Sequence, residues 1–406
     1  MEKDGEIILN SQYTKNSFER INQKKFTNIK YFYILIVIIF LNVGSIIICL
    51  INRKESKILL NLLNDNILKY KEVFLRKISF MDKLILLYNK ENEIKGINHR
   101  YNYSYKEYNE IINEKYIKEQ NYFCAHQDQF YNQEFEDQIR LIDININNKK
   151  YQMYIYKKDD AVSNHIIKVK KWEENETNIL LKGLNYYKNK YNIKSEDIYI
   201  LDIGANIGWY SFCLGKYGYK ILSFEPSLIN AYILKKNYCL NKELNITIIN
   251  KGLYNQEKNC NIYNVFRNIG DGMILCEEKK NLLPILNKNQ ENYIILTKLS
   301  NYINYLSTKN LVLIKMDVEG SEGKAIEGGI EIITKYQVPF IFMEFCPKFL
   351  RIHGTEPKEL LKLFENNGYK ISPKHFFDEN HYSIEDIIKN TGLYINLYIV
   401  HSKIFK

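Results

Sequence analysis

Two acids and two glycines, set at fixed distances, pose the first chemical question. Residues 201–208 read "LDIGANIG" directly after the apolar run "IYI", placing Asp202, Gly204, Asn206 and Gly208 where a strand should end. Glu225 closes "KILSFE" 23 residues beyond Asp202, and Pro226 turns the chain away behind it. A dinucleotide fingerprint would need G-x-G-x-x-G, so that backbone could approach a pyrophosphate. Here Asn206 replaces the second glycine and Trp209 the third. An indole where helix and strand must touch argues against a dinucleotide. S-adenosylmethionine (SAM) has no pyrophosphate and suits these residues better. Asp202 could take its ammonium, and the glycine turn would let its methionine part lie against amides at a helix N-terminus. Glu225, at the end of the second strand, stands where ribose hydroxyls are held in such sheets.

A second group of acids follows. "KMDVEGSE" (315–322) gathers Lys315, Asp317, Glu319 and Glu322, and "FIFMEF" carries Glu344. A hydroxyl becomes a good nucleophile only as its proton leaves, so a carboxylate beside it is a candidate base. Asp317 is the first candidate and Glu319 the second. The competing structural roles are a turn cap for Asp317 and orientation of the Gly320 backbone for Glu319. Glu344 is expected either to hold substrate hydroxyls or to make a strand-end salt bridge. His126, His165, His353 and His375 lack ligand spacing, and no metal is assigned.

These residues need a scaffold that brings strand ends together. "QIRLIDINI" and "YQMYIYK" alternate on either side of a polar centre, which predicts a β-hairpin. "EENETNILLKGLNYYKNKY" has helical spacing, with Asn175 or Thr177 as its cap. From residue 198 the pattern becomes strand, glycine turn and helix, repeated, with a polar hairpin region at 260–299 and final strands near 369–372 and 393–400. This alternation predicts an α/β, Rossmann-like doubly wound sheet whose ligands bind beyond the carboxyl ends of its strands.

"LDIGANIGWYSF", "FEPS", "LIKMDVEGSEGKAIEGG" and "FIFMEF", in this order and spacing, resemble the FkbM-type methyltransferases. The resemblance reaches back to "DAVSNHIIKVKKWEENET" (160–177) and covers roughly residues 138–400. It implies a class I methyltransferase fold, SAM as donor, and O-methylation of a sugar or small-molecule hydroxyl. One departure concerns substrate positioning. Where the family carries an "LDD"-like turn, this chain has "TKLSNYI", with Ser300 in place of the first acid.

The remainder of the 406 residues bounds where such an enzyme would work. Residues 31–51 ("YFYILIVIIFLNVGSIIICLI") contain no charged side chain and are long enough, at about 1.5 Å per residue, to cross a bilayer as one helix. The expected organisation is a polar tail at 1–30, a transmembrane helix at 31–51, a stem and linker at 52–137, and a methyltransferase domain at 138–406. Leu and Ile at helical spacing in 55–90 predict a stem helix able to self-associate, and the Tyr- and Asn-rich residues 95–135 an irregular linker. Flanking Lys and Arg balance across the span, so orientation rests on the tail–anchor–domain plan, which favours a lumenal domain in the Golgi or endoplasmic reticulum. Net charge is +10, but basic and acidic residues interleave without a basic stripe, which disfavours nucleic acid. Seven scattered cysteines form no CxxC pair and are expected to be buried free thiols, a bridge among Cys124, Cys260 and Cys276 being the oxidising-lumen alternative. The expected function is thus a membrane-anchored, SAM-dependent O-methyltransferase acting on a glycan or small molecule. The alternatives are a secretory-pathway glycosyltransferase, although no D-x-D triplet is present, and a pseudoenzyme kept for interaction.

Overall fold

The computed structural model describes residues 105–265, 268–276, 292–307 and 310–406. The expected span at 31–51, the stem at 55–90 and the linker before residue 105 lie outside the described residues. Among the described residues, no helix is long and apolar enough to cross a membrane.

The chain first forms the expected hairpin, β1 (Ile139–Ile146) and β2 (Lys149–Tyr156), paired antiparallel through their whole length. Asn147 and Asn148 at its turn both take positive φ, 48° and 65°, which suits the twist of a two-residue hairpin loop. The main sheet then begins with β3 (Ile198–Ile203), β4 (Lys220–Phe224) and β5 (Ile246–Ile249). The short β6 (Gly252–Leu253), β7 (Lys258–Val265), β8 (Asn268–Leu275) and β9 (Asn292–Thr297) leave it to make a separate four-stranded sheet, ordered β6-β9-β7-β8. The chain returns with β10 (Asn310–Met316), β11 (Phe340–Phe345), β12 (Tyr369–Ser372) and β13 (Ile395–His401). The completed seven-stranded sheet has the order β12-β13-β11-β10-β3-β4-β5. Its five strands from β11 to β5 are parallel, and β13 runs antiparallel to both β11 and β12.

Parallel strands covered on both faces need apolar residues facing both ways. In β3, Ile198 and Ile200 enter one core cluster while Leu201 and Ile203 enter the other. Strand order reverses between β3 and β10, so the crevice of this sheet opens at their carboxyl ends. Asp202 lies opposite Lys315 in that register, and the Asp317 amide donates to the Ile203 carbonyl at 3.0 Å.

Three expectations need correction. The stretch taken as an irregular linker is a helix from Tyr105 to Ala125, and it packs on the sheet. Its Gln120, 1% exposed, donates to the Ile246 carbonyl at 2.8 Å and accepts from the Ile248 amide at 3.0 Å. One amide side chain thereby satisfies the open edge of β5 as a further strand would. The cysteines are not all free: Cys124 pairs with Cys239 and Cys260 with Cys276, leaving Cys213 and Cys346 as the buried thiols among the described residues. The Cys260–Cys276 pair falls within the bridge alternative, whereas Cys124 and Cys239, separated by 115 residues, gave no spacing from which to read their pairing. Finally, neither Asn175 nor Thr177 caps the helix Glu174–Tyr191; its N-cap is Glu173, in a left-handed conformation.

The Cys124–Cys239 bond closes a loop with a sequence separation of 115 residues and ties the Tyr105–Ala125 helix to the helix Leu228–Leu240. Replacing both cysteines by serine should lower unfolding stability by roughly 2–4 kcal/mol, read from urea midpoints. An unchanged midpoint, or a non-reducing peptide map without this pair, would contradict the assignment.

Candidate active site

The glycine turn after β3 lies directly against the end of β10. Gly204 has φ +79°, and a Cβ built there would stand 1.8 Å from the Asp317 carbonyl oxygen, so no side chain fits. Gly208 has φ +98° and a Cβ there would meet Leu234 and Phe212 at 2.5 Å. Between them Asn206 adopts φ 51°. Trp209 opens the helix Trp209–Gly215 and is 3% exposed, so its indole belongs to the packing beneath the turn.

Lys315 sits at the centre. Its ammonium is buried, donates to the Gly204 carbonyl at 2.9 Å, and stands 3.7 Å from Asp202 and 3.6 Å from Asp317. Burial works against its charge, but Asp317, Asp202, Glu173 and Glu225 more than offset that and hold its pKa above the usual lysine value. Asp202 is itself raised by burial, against the opposing pull of Lys315 and Ser211. Its Oδ2 accepts from the Ser211 hydroxyl at 2.5 Å, while Oδ1 has no hydrogen-bond partner.

Glu225 occupies the expected place at the end of β4. Its Oε2 accepts from the Asn206 amide at 2.7 Å and its Oε1 from the Ser227 amide at 2.8 Å. The acid therefore also fixes the glycine turn, a role its sequence position did not suggest. Burial raises its pKa to about 7 despite those amide bonds.

Asp317, Glu319 and Glu344 come together on the other side of the crevice, each half-buried and offering an oxygen within 4.8 Å of the others. Among the described residues, Glu344 has no cation within salt-bridge distance, so the strand-end salt bridge that was its alternative is not made there. Burial and the charges of Asp317, Glu322 and Asp271 push it up to about 9, Lys315 only partly compensating. Glu319 is driven well above the carboxylate range by burial, with Asp271, Asp317 and Glu344 adding to the shift. Glu322 is no part of the open cluster. It is 1% exposed, and its Oε1 accepts from the Val318 and Gly320 amides at 3.1 and 3.3 Å.

Two residues at this site were not singled out from the sequence. Asp271, on β8, hydrogen-bonds the Glu319 side chain. Glu173, at φ 40°, accepts from the Tyr210 hydroxyl at 2.5 Å, and its charge acts on Lys315. A non-glycine residue at positive φ, carrying a carboxylate towards a site, is the kind of strain that function retains. Glu173 falls in the stretch at 160–177 that carried the family resemblance, whereas Asp271 had no signal, because it lies on the β7–β8 hairpin of the separate sheet, whose approach to Glu319 is set by contacts between distant residues.

Residues 202–371 match the methyltransferase FkbM domain. No curated protein matches the chain. Among solved structures it is similar to the bifunctional kinase-methyltransferase WbdD, at 10% identity over 57% of this chain and 40% of that one, with a TM-score of 0.32. The match thus spans about two fifths of the WbdD chain. It is also similar to magnesium protoporphyrin IX methyltransferase (ChlM) from Synechocystis PCC 6803 with bound SAM, at 12% identity over 56% of this chain and 80% of that one, with a TM-score of 0.29.

The raised Glu225 has a consequence for stability. A carboxyl with a folded pKa of about 7 keeps a proton that the unfolded chain, near 4.5, has already lost. Its contribution to stability is complete below the unfolded value and is lost as pH rises through the folded one, at about 1.4 kcal/mol per unit inside that window. Urea unfolding should therefore show lower stability at pH 8 than at pH 5.5, with a shallower slope in Glu225→Gln. A slope of opposite sign, or one untouched by the substitution, would count against this environment for Glu225.

Proposed function

We propose, from the methyltransferase domain at residues 202–371, that this chain is a SAM-dependent O-methyltransferase acting on a hydroxyl of a glycan or small molecule, anchored to a bilayer through residues 31–51. The observation that carries this reading is the meeting of a SAM-type turn and a carboxylate cluster at one switch point of the sheet.

The crevice residues suit the donor. Asp202 Oδ1 and Asn206 Oδ1 are buried acceptors without a hydrogen-bond partner; the first has Lys315 at 3.7 Å and keeps lone pairs for an ammonium. Glu225 accepts one backbone amide at each oxygen and is also hydrogen-bonded by the Asn230 side chain, which leaves acceptor capacity for a ribose hydroxyl. Gly204 keeps the turn bare of side chain. When bound, SAM supplies a methyl group made electrophilic by its sulfonium. The chain's own task is to hold the acceptor hydroxyl and accept its proton. Asp317 is placed for that, with a side chain 41% exposed and Lys315 at 3.6 Å to steady its charge. Glu319 and Glu344 line the same pocket and would hold further hydroxyls of a polyhydroxylated acceptor.

Two disulfides support an oxidising compartment, and hence a lumenal domain in the Golgi or endoplasmic reticulum. The uncharged run at 31–51 supports the anchor.

Chemistry is tested by a pair of variants. Asp317→Asn should bind SAM as wild type does, by calorimetry, yet lose about 10²–10⁴-fold in single-turnover rate. Glu225→Ala should instead lose donor affinity by about 1.5–3 kcal/mol. Full turnover in Asp317→Asn would move the base elsewhere, and absence of SAM binding in wild type would leave a pseudoenzyme. Topology is tested on intact vesicles. The domain should resist protease until detergent is added, and digestion without detergent would place it in the cytosol.

A further inference from the structure

The acidic side of the crevice gathers more carboxyl groups than the neighbouring cation can serve. Asp317 and Glu319 follow β10, and Glu344 sits on β11, so three carboxylates reach one point from two adjacent strand ends. Asp271 arrives from the separate sheet and touches Glu319. Among the described residues, Lys315 is the cation paired within this cluster, through Asp317, and it is already shared with Asp202. Beneath the cluster lies a further sign of incompleteness. Glu322 is 1% exposed, with its Oε1 on backbone amides, yet its Oε2 has no partner while its charge falls on Glu344. A buried carboxylate oxygen left without a donor, beside three converging carboxylates, marks a place where positive charge belongs.

We propose that Asp317, Glu319 and Glu344 form a binding site for one hard divalent cation, of the Mg²⁺, Mn²⁺ or Ca²⁺ class. The donor set is oxygen only, which suits these ions and not the softer metals that favour imidazole or thiolate. Oxygens on opposite sides of one ion are separated by roughly 4–5 Å, twice the metal–oxygen distance. The three oxygens lie within 4.8 Å of one another, so the site needs little or no closure. Asp271, held by Asn268 at 3.1 Å, buttresses Glu319 from outside the ligand set.

The ion's role rests on the proposed O-methylation, whereas its binding does not. An acceptor hydroxyl on the cation would lose its proton more readily. Each carboxylate has two oxygens, so Asp317 can ligate with one and receive that proton on the other.

The test uses the full-length chain purified in detergent and Mn²⁺ as the probe, followed by the loss of its free electron-paramagnetic signal. Wild type should bind one Mn²⁺ per chain, displaced by Mg²⁺ or Ca²⁺. Glu319→Gln combined with Glu344→Gln should weaken binding by about 10–100-fold or more, while Glu327→Gln, on an exposed acid paired with Lys324, should not change it. Neutralising mutually repelling acids should leave melting temperature equal or higher, so lost binding cannot be put down to misfolding. No stoichiometric Mn²⁺ site, or binding indifferent to the double substitution, overturns the proposal. Methyl transfer that persists in chelator without Mn²⁺ binding removes the cation and keeps the methyltransferase. Mn²⁺ binding without methyl transfer to any acceptor keeps the cation and removes the reaction.

Discussion

One buried ammonium organises the crevice. Lys315 joins the end of β10 to the glycine turn through the Gly204 carbonyl, and it sets its charge between Asp202 and Asp317. Breaking one side of a buried pair typically costs about 3–5 kcal/mol, because the surviving charge is left uncompensated. Here two carboxylates would be left, and a backbone carbonyl with them. The donor side and the acid side of the crevice are thus held in relation by a single side chain. Asp317 and Asp202, joined by Glu173 and Glu225, hold its pKa above the usual lysine value although it is buried.

The sheet was legible in the sequence because its signals are local. Each parallel strand is a short apolar run that ends at a glycine or an acid, and its helix follows at once. "LDIGANIG" and "KILSFEP" therefore located β3 and β4 without knowledge of any partner. The hairpin at β1 and β2 was legible for the same reason. What escaped was decided by contacts between distant residues. The Tyr105–Ala125 helix shows a weak period because its fit depends on Gln120 meeting β5 and on Cys124 meeting Cys239, 115 positions away. Likewise, residues 260–299 read as a polar hairpin, since β6 and β9 complete that sheet by pairing across the interruption between them.

The site divides along the same line. Asp202, Gly204, Gly208, Glu225 and Asp317 stand at strand ends, and position alone assigned them to the crevice. The local reading did not reveal that Glu225 fastens the turn through Asn206, or that Glu344 faces other acids where a cation was the alternative. Glu173 and Asp271 were not singled out because they reach the site from a helix start and from the second sheet.

The contact at Gly204 also bears on how such an enzyme can diversify. Because the Asp317 carbonyl oxygen fills the space where a side chain would begin, the donor turn and the backbone of the candidate base share one boundary. Neither backbone can shift without displacing the other, and no side chain can be added at Gly204. The opposite wall is built differently: Asp271 comes on a hairpin whose strands belong to another sheet. That wall can therefore change its strand length or side chains without moving the Gly204 contact. The fold thus sets a fixed wall against an adjustable one, and one missing Cβ marks the border.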